Sequence, residues 1–132
     1  MKRAIFALLL GLYMCPALAE TNWMSTAEFE AQVTGRATKV YDLDGTLFGT
    51  EYFLAKRRTI WQLAGESKCY AGAWTPRDDQ ICFRYEGGFG NCYRYYSAPD
   101  KIVGVDWVGG VQTTSSHDLV LSDDLIPNCS AN

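Results

Sequence analysis

The chain has 132 residues, of which 48% are hydrophobic and 14% aromatic, and it carries a formal charge of −3 at pH 7. This length is typical of one small domain and excludes a two-domain enzyme. The acidic balance also gives no electrostatic reason to bind nucleic acid, because nucleic-acid-binding proteins use Lys and Arg to neutralise phosphates.

Residues 1–19 have the three parts of a secretory signal peptide. Lys2 and Arg3 precede an apolar run over residues 4–14, and Ala17-Leu18-Ala19 follows it. The apolar run is about half the roughly 20 residues that a membrane-spanning helix needs. The sequence therefore predicts cleavage before Glu20, a single mature domain over residues 20–132 without a membrane span, and a periplasmic or secreted protein.

The mature chain predicts one short helix followed by strands. Ser25-Thr26-Ala27-Glu28 has the spacing of a capping box, and Phe29 and Val33 lie four residues apart before Gly35, which predicts a helix from about residue 26 to 34. Eight strands separated by turn-rich segments follow, at residues 36–41, 46–53, 57–63, 69–75, 80–86, 92–97, 101–108 and 118–121. Residues 109–116 have the composition of a long mobile loop.

The links between these strands are too short for crossover helices, so neighbouring strands must pair in antiparallel fashion as a meander. Alternation in the fifth strand places Ile81, Phe83 and Tyr85 on one side. A meander that buries one face removes its exposed edges by curling into an up-and-down, lipocalin-like barrel or half-barrel. The predicted fold class is therefore mainly β: an antiparallel eight-strand meander forming a small barrel or half-barrel, with one short N-terminal helix.

Residues 39–48 resemble the first motif of haloacid-dehalogenase-type phosphatases. The resemblance implies that Asp42 attacks phosphorus, that Asp44 acts as acid or base, and that magnesium lies between the carboxylates and the phosphate. That fold needs a parallel sheet with crossover helices, whereas the chain after Asp44 predicts strands and turns. The favoured interpretation is a hairpin turn in which Asp side chains bind the local backbone and Gly45 supplies a positive φ, with the phosphatase as a minor alternative.

The sequence favours no other catalytic or metal chemistry. His117 lies next to Asp118 and after four hydroxyl residues, but neighbours on a polar loop are not a preoriented nucleophile and base. The chain has no Cys-x-x-Cys spacing and only one imidazole, which disfavours zinc. We therefore expect a non-enzymatic protein with no catalytic residue, no metal and no cofactor.

Four cysteines remain after the predicted leader, and an even number in a small exported domain predicts two disulfides with three possible connectivities. Cys82 and Cys92 flank the turn-rich residues 86–91 and could face each other across a hairpin. That pairing would leave Cys69 with Cys129. The sequence alone does not decide among the three connectivities.

The aromatic residues are the best indication of function. Most are expected in the core, because each buries a large area and the polar tips of Tyr and Trp find hydrogen bonds there. A minority at one end of the barrel would line an apolar pocket with a few polar contacts. The candidate ligand-binding residues are Trp61, Trp74, Tyr85 and Trp107.

Several short motifs resemble those of an uncharacterised group of small exported, disulfide-containing β proteins from alphaproteobacteria of the Rhodobacter type. These motifs are Gly49-Thr50-Glu51-Tyr52-Phe53, Arg57-Arg58-x-Ile60-Trp61, Cys69-x-x-Gly72-x-Trp74, and Asp79-x-Ile81-Cys82-Phe83-x-Tyr85-Glu86 followed by Cys92-Tyr93. The resemblance spans roughly residues 28–129. It implies an exported β fold and no assigned activity.

Two functional hypotheses follow. In the first, a monomeric periplasmic barrel binds a small apolar ligand or a protein segment through aromatic side chains at its open end. In the second, the chain is an envelope-stress or protease-inhibitor-like module, in which residues 20–25 or 109–116 enter a partner's cleft.

Overall fold

A computed structural model describes residues 19–123 and 126–129, so residues 1–18 of the predicted signal peptide lie outside the described residues. A helix precedes eight strands, and a single 3-10 turn, Ala55–Arg57, lies between β2 and β3. The elements are α1 (Thr26–Val33), β1 (Ala37–Asp42), β2 (Leu47–Phe53), β3 (Arg58–Leu63), β4 (Cys69–Arg77), β5 (Gln80–Tyr85), β6 (Cys92–Ala98), β7 (Lys101–Val108) and β8 (Val111–Ser122).

The strands form one antiparallel meander that closes on itself. Each strand pairs with its neighbour in the chain, and β8 pairs back onto β1 from Ala37↔Ser122 to Asp42↔His117. Closure removes the free edges that an open meander would expose. The predicted fold class, a mainly β eight-strand meander with one short helix, is confirmed.

The helix covers one end of the barrel. It begins at a capping box, in which the Ser25 side chain accepts from the Glu28 backbone and the Glu28 carboxylate accepts from the Ser25 backbone. Phe29 and Val33 are fully buried, and the Phe29 ring packs against Phe53, Trp74 and Tyr95. We call the end of the barrel that α1 covers the closed end. The β1–β2, β3–β4, β5–β6 and β7–β8 turns lie at the opposite, open end, because direction alternates along an antiparallel meander.

The ring is uneven between β5 and β6. Within the strands, Ile81 pairs with Tyr93 and Cys82 with Cys92, and two further backbone hydrogen bonds join Phe83 and Tyr85 of β5 to the β5–β6 turn. Toward the closed end, β6 extends beyond β5 and pairs with the N-terminal segment instead. Trp23 forms an isolated bridge with Tyr96, and the Met24 N–H donates to the Tyr95 carbonyl at 2.7 Å. A cavity of about 480 Å³ remains beside this segment. Residues 23–24 therefore help to close the barrel.

Two disulfides join Cys82 to Cys92 and Cys69 to Cys129, which is the arrangement that a hairpin pairing of Cys82 with Cys92 implies. The Cys82–Cys92 disulfide joins one of the two directly paired positions of β5 and β6. The second holds residues 126–129 against the barrel, where the Tyr52 hydroxyl donates to the Ile126 carbonyl at 3.1 Å and the Gln62 amide donates to the Asn128 carbonyl at 3.0 Å.

The prediction of a mobile loop over residues 109–116 was wrong. Gly109 and Gly110 form the turn, and β8 begins at Val111, pairing with the end of β7 at Val108 and Trp107. Most of residues 111–116 are exposed, so this part of the strand lacks the alternation of apolar and polar residues that marks a half-buried strand. In the described part of the chain, no helix is long and apolar enough to cross a membrane.

Candidate ligand-binding site

A cavity of about 490 Å³ opens at the end of the barrel opposite α1. Its lining combines aromatic rings with a small set of polar side chains. The aromatic residues are Phe48, Phe53, Trp61, Phe83, Tyr85, Phe89, Tyr93 and Tyr95. The polar residues are Asp42, Glu51, Asn91, Asp106, Ser115, Ser116 and His117.

Two irregularities in strand pairing supply cavity residues. Val40 pairs with Gly49 and Tyr41 with Leu47, so Phe48 is an extra residue in β2. Its ring lies against that of Trp61, with 5.4 Å between centroids. The pairing of β7 with β8 shifts between Val105 and Trp107, at Asp106. The extra residues there lie in β8, where residues 113–115 stand opposite Asp106. Bulges re-aim side chains, and here Phe48, Asp106 and Ser115 all line the cavity.

Three glycines make room for the cavity rings. A Cβ at Gly49 would lie 2.5 Å from the Trp61 ring, and one at Gly72 would lie 2.5 Å from the Tyr85 ring. At Gly104 it would lie 2.5 Å from the His117 ring and 2.6 Å from the Tyr95 ring. Strand glycines often mark such close approaches. These three positions therefore fix where the aromatic side chains lie across the barrel.

Glu51 is the most unusual group in the cavity lining, since its side chain is charged in type yet only 4% of the residue is exposed. Its Oε2 accepts a hydrogen bond from the Tyr85 hydroxyl at 2.8 Å, whereas its Oε1 has no hydrogen-bond partner among the described residues. Burial raises the pKa of Glu51 to about 7. The Tyr85 and Thr59 hydroxyls oppose this rise, although Thr59 is not in hydrogen-bonding geometry.

Burial also favours the neutral form of four other titratable groups in the cavity lining, those of His117, Tyr85, Tyr93 and Tyr95. Burial lowers the pKa of His117, although Asp106, Asp118 and Asp42 act in the opposite direction. The His117 ring packs edge-on against Tyr93 and Tyr95, at centroid distances of 4.6 and 5.8 Å. Burial also raises the pKa of Tyr85, Tyr93 and Tyr95, so these phenols stay protonated and serve as hydrogen-bonding and ring surfaces.

The mouth of the cavity is both apolar and acidic. Phe48 and Phe89 are 48% and 43% exposed, and Leu43, Val108 and Val111 on neighbouring turns are more exposed still. Asp42 and Asp106 also lie in the lining, whereas no Lys or Arg does. A ligand that enters here meets apolar side chains and carboxylates.

The two aspartates of the phosphatase-like motif lie at the β1–β2 hairpin, Asp42 as the last residue of β1 and Asp44 in the turn. The Asp44 carboxylate accepts the Thr46 N–H at 2.8 Å, and this bond lowers its pKa. The Gly45 N–H donates to the Asp42 carbonyl, with a Gly45 φ of 81°. Asp42 lines the cavity but Asp44 does not, and every strand pairing in the described residues is antiparallel. The turn interpretation therefore fits the geometry, and the parallel strand and helix of the phosphatase setting are not found there.

Of the four aromatic residues proposed from the sequence, Trp61 and Tyr85 line the cavity. Trp74 is 1% exposed and packs under α1 at the closed end, with the Arg57 guanidinium 4.9 Å from its ring centroid. Trp107 lies near Trp23, at 5.9 Å between centroids, and outside the cavity lining.

Four further residues of the lining, Glu51, Tyr93, Tyr95 and His117, are not among the ligand-binding residues predicted from the sequence. Alternation with the apolar Phe53 and Leu119 was the available signal, because it places Glu51 and His117 on inward faces. Part of each segment proposed to enter a partner's cleft pairs with a strand of the barrel. Trp23 of residues 20–25 bridges to β6, and residues 111–116 belong to β8.

Comparisons with protein-family models, with curated proteins and with solved structures find no match to this chain. The resemblance to exported alphaproteobacterial proteins therefore stays a prediction. Within the described residues, no group of three or more His, Cys, Asp or Glu side chains has an arrangement suited to a metal ion. The cavity has room for one small molecule among aromatic rings and carboxylates.

Proposed function

We propose that this chain is an extracytoplasmic, non-enzymatic binding protein that holds one small, largely apolar molecule in the cavity at the open end of the barrel. The observation that carries the proposal is the lining itself, in which eight aromatic side chains surround a space of about 490 Å³. Ligand cavities are commonly about 300–1,000 Å³ and are lined by apolar and aromatic side chains with a few placed polar groups.

The location outside the cytoplasm rests on two features. Residues 1–19 have a signal-peptide pattern, and the fold holds two disulfides, which form and persist in oxidising compartments. The absence of catalysis is proposed because His117 packs on tyrosine rings and, among the described residues, makes no hydrogen bond to a hydroxyl nucleophile.

A neutral apolar dye, N-phenyl-1-naphthylamine, tests the proposal, because its emission rises when it leaves water. The oxidised full chain should bind one equivalent. Phe48→Asp should weaken binding by about fivefold or more, which is about 1 kcal/mol, because Phe48 lies in the lining and packs on Trp61.

Leu43→Asp is the matched control, since Leu43 is an exposed apolar residue at the same end that does not line the cavity. It should leave the affinity unchanged. Equal weakening by the two variants would place the dye on the outer surface of the turns, and no binding by the unsubstituted chain would refute the proposal.

A further inference from the structure

The cavity lining contains three carboxylates, one buried, one half-buried and one exposed, and none of them forms an ion pair in the described part of the chain. Asp42, Glu51 and Asp106 line it, whereas the three ion pairs in the described part of the chain involve other carboxylates, those of Asp123, Glu30 and Asp118. Buried charges in proteins are normally paired or hydrogen-bonded. His117, the only histidine in the sequence, does not supply a balancing positive charge, because burial lowers its pKa and favours the neutral form.

The imbalance is sharpest at Glu51. Tyr85 occupies Oε2, but Oε1 is buried and has no partner among the described residues. A buried acceptor without a donor destabilises the folded protein, and the cost is larger for a charged group. A donor that arrives with the ligand would remove this penalty and would add the attraction between opposite charges.

The aromatic lining suits a positive charge as well as an apolar body. The rings of Trp61, Tyr85 and Tyr93 lie in the same cavity as Glu51, and the negative faces of such rings attract organic cations. Asp42 and Asp106, in the same lining, would give the cavity a negative potential that favours entry of a cation.

We propose that the ligand of this cavity is an organic amine with an apolar, preferably aromatic, body, and that its ammonium group donates to the Oε1 of Glu51. The inference rests on the proposed function, because it names the ligand class of the same cavity. Because a bound ammonium favours the ionised carboxylate, binding should lower the pKa of Glu51 from the raised value that burial gives it.

Three indoles that differ in the charge of the tail test the inference: tryptamine is cationic, tryptophol is neutral and indole-3-acetate is anionic. Calorimetric titrations of the oxidised full chain at pH 8 should show tryptamine binding about tenfold or more tightly than tryptophol, as expected for a charge-assisted hydrogen bond in a buried site. Indole-3-acetate should bind most weakly.

Glu51→Gln should reduce the preference for tryptamine over tryptophol to about twofold or less, because it removes the charge and keeps the size of the side chain. Glu66→Gln is the matched control, as Glu66 is an exposed carboxylate in the β3–β4 turn. It should preserve the preference. Asp106→Asn should reduce the preference less than Glu51→Gln, because Asp106 is more exposed than Glu51.

Equal affinities for tryptamine and tryptophol would overturn the inference, as would an undiminished preference in Glu51→Gln. The dye titration separates this failure from that of the proposed function. If the dye enters the cavity and tryptamine shows no advantage, only the amine inference fails; if neither molecule binds, both fail.

Discussion

At the scale of single residues, Glu51 carries a thermodynamic signature that can be measured without any ligand. Its pKa is 4.5 in an ordinary environment and about 7 in the folded barrel because of burial. The folded state therefore binds a proton more strongly than the unfolded state does. The contribution of Glu51 to the free energy of unfolding therefore falls as pH rises from about 4.5 to about 7, and it changes little above that range.

Glu51→Gln should therefore be more stable than the unsubstituted chain at pH 8 and nearly equal to it at pH 4.5. A shift from 4.5 to about 7 corresponds to about 3 kcal/mol as an upper limit. Urea unfolding of both chains at intervals between pH 4.5 and 8 measures the difference. Comparison with Glu51→Gln isolates Glu51 from the other titratable groups around the cavity, which are Asp42, Tyr85, Tyr93, Tyr95, Asp106 and His117.

The same titrations of Glu66→Gln provide the control, because Glu66 is exposed and its substitution should leave the pH dependence unchanged. A stability difference between Glu51→Gln and the unsubstituted chain that stays constant from pH 4.5 to 8 would show that the Glu51 carboxyl has the same pKa in the folded and unfolded states.

Gly104 in β7 leaves room for the rings of its two cross-strand neighbours, Tyr95 in β6 and His117 in β8. Gly104→Ala should destabilise the fold by about 1–3 kcal/mol, because the new methyl group would overlap the His117 and Tyr95 rings. His117→Ala removes one of the two overlaps. The double variant should therefore lose less stability than the two single variants together, as measured by urea unfolding in a double-mutant cycle. Strictly additive losses would mean that the rings can move aside freely.

Part of the cavity lining could be predicted from the sequence and part could not. Trp61 and Tyr85 were predicted as ligand-binding residues from their aromatic type, and alternation places Tyr85 with Ile81 and Phe83. Alternation shows which rings point into the barrel. It does not show which of them lie against α1 at the closed end and which lie at the open end. Trp74 is equally aromatic and inward, but Phe29 of α1 covers it.

At the scale of secondary structure elements, helix α1 makes the barrel one-ended. Phe29→Ala should lower the free energy of unfolding by about 3–5 kcal/mol, because the ring is fully buried against Phe53, Trp74 and Tyr95. Ala31→Ser, on the exposed side of the same helix, should change it by less than about 0.5 kcal/mol. Urea unfolding compares the two, and a small loss for Phe29→Ala would mean that the helix does not contribute to the core.

Element boundaries were predictable where apolar residues alternate and turn residues interrupt them. The predicted helix ends within one residue of α1, and strand β7 was predicted at its observed bounds. The loop prediction was wrong at residues 113–116 because Thr113-Thr114-Ser115-Ser116 is polar on both faces. The place of this segment in β8 is set by its pairing with β7. The bulges at Phe48 and opposite Asp106 also depend on the partner strand, which no local pattern reveals.

At the scale of the whole molecule, the two disulfides serve different regions. Cys82–Cys92 links β5 and β6, which have the shortest direct pairing of the neighbouring strands in the described residues. Both strands supply cavity residues, Phe83 and Tyr85 from β5 and Tyr93 from β6. Cys69–Cys129 closes a far longer stretch of chain, with a sequence separation of 60 against 10. None of its attached residues 126–129 lines the cavity.

Stability and binding should therefore respond in opposite order to the loss of each disulfide. Replacing Cys69 and Cys129 by Ala should lower the free energy of unfolding by about 4 kcal/mol and replacing Cys82 and Cys92 by about 3 kcal/mol, because the longer loop gains more entropy in the unfolded chain. Dye affinity should fall mainly in the Cys82/Cys92 variant, since β5 and β6 can then separate and move Tyr85 away from Tyr93. Urea unfolding and dye titration of both variants measure the two effects. Equal losses of dye affinity would show that the cavity depends on overall stability, whereas the separate losses expected here would locate its support in the β5–β6 link.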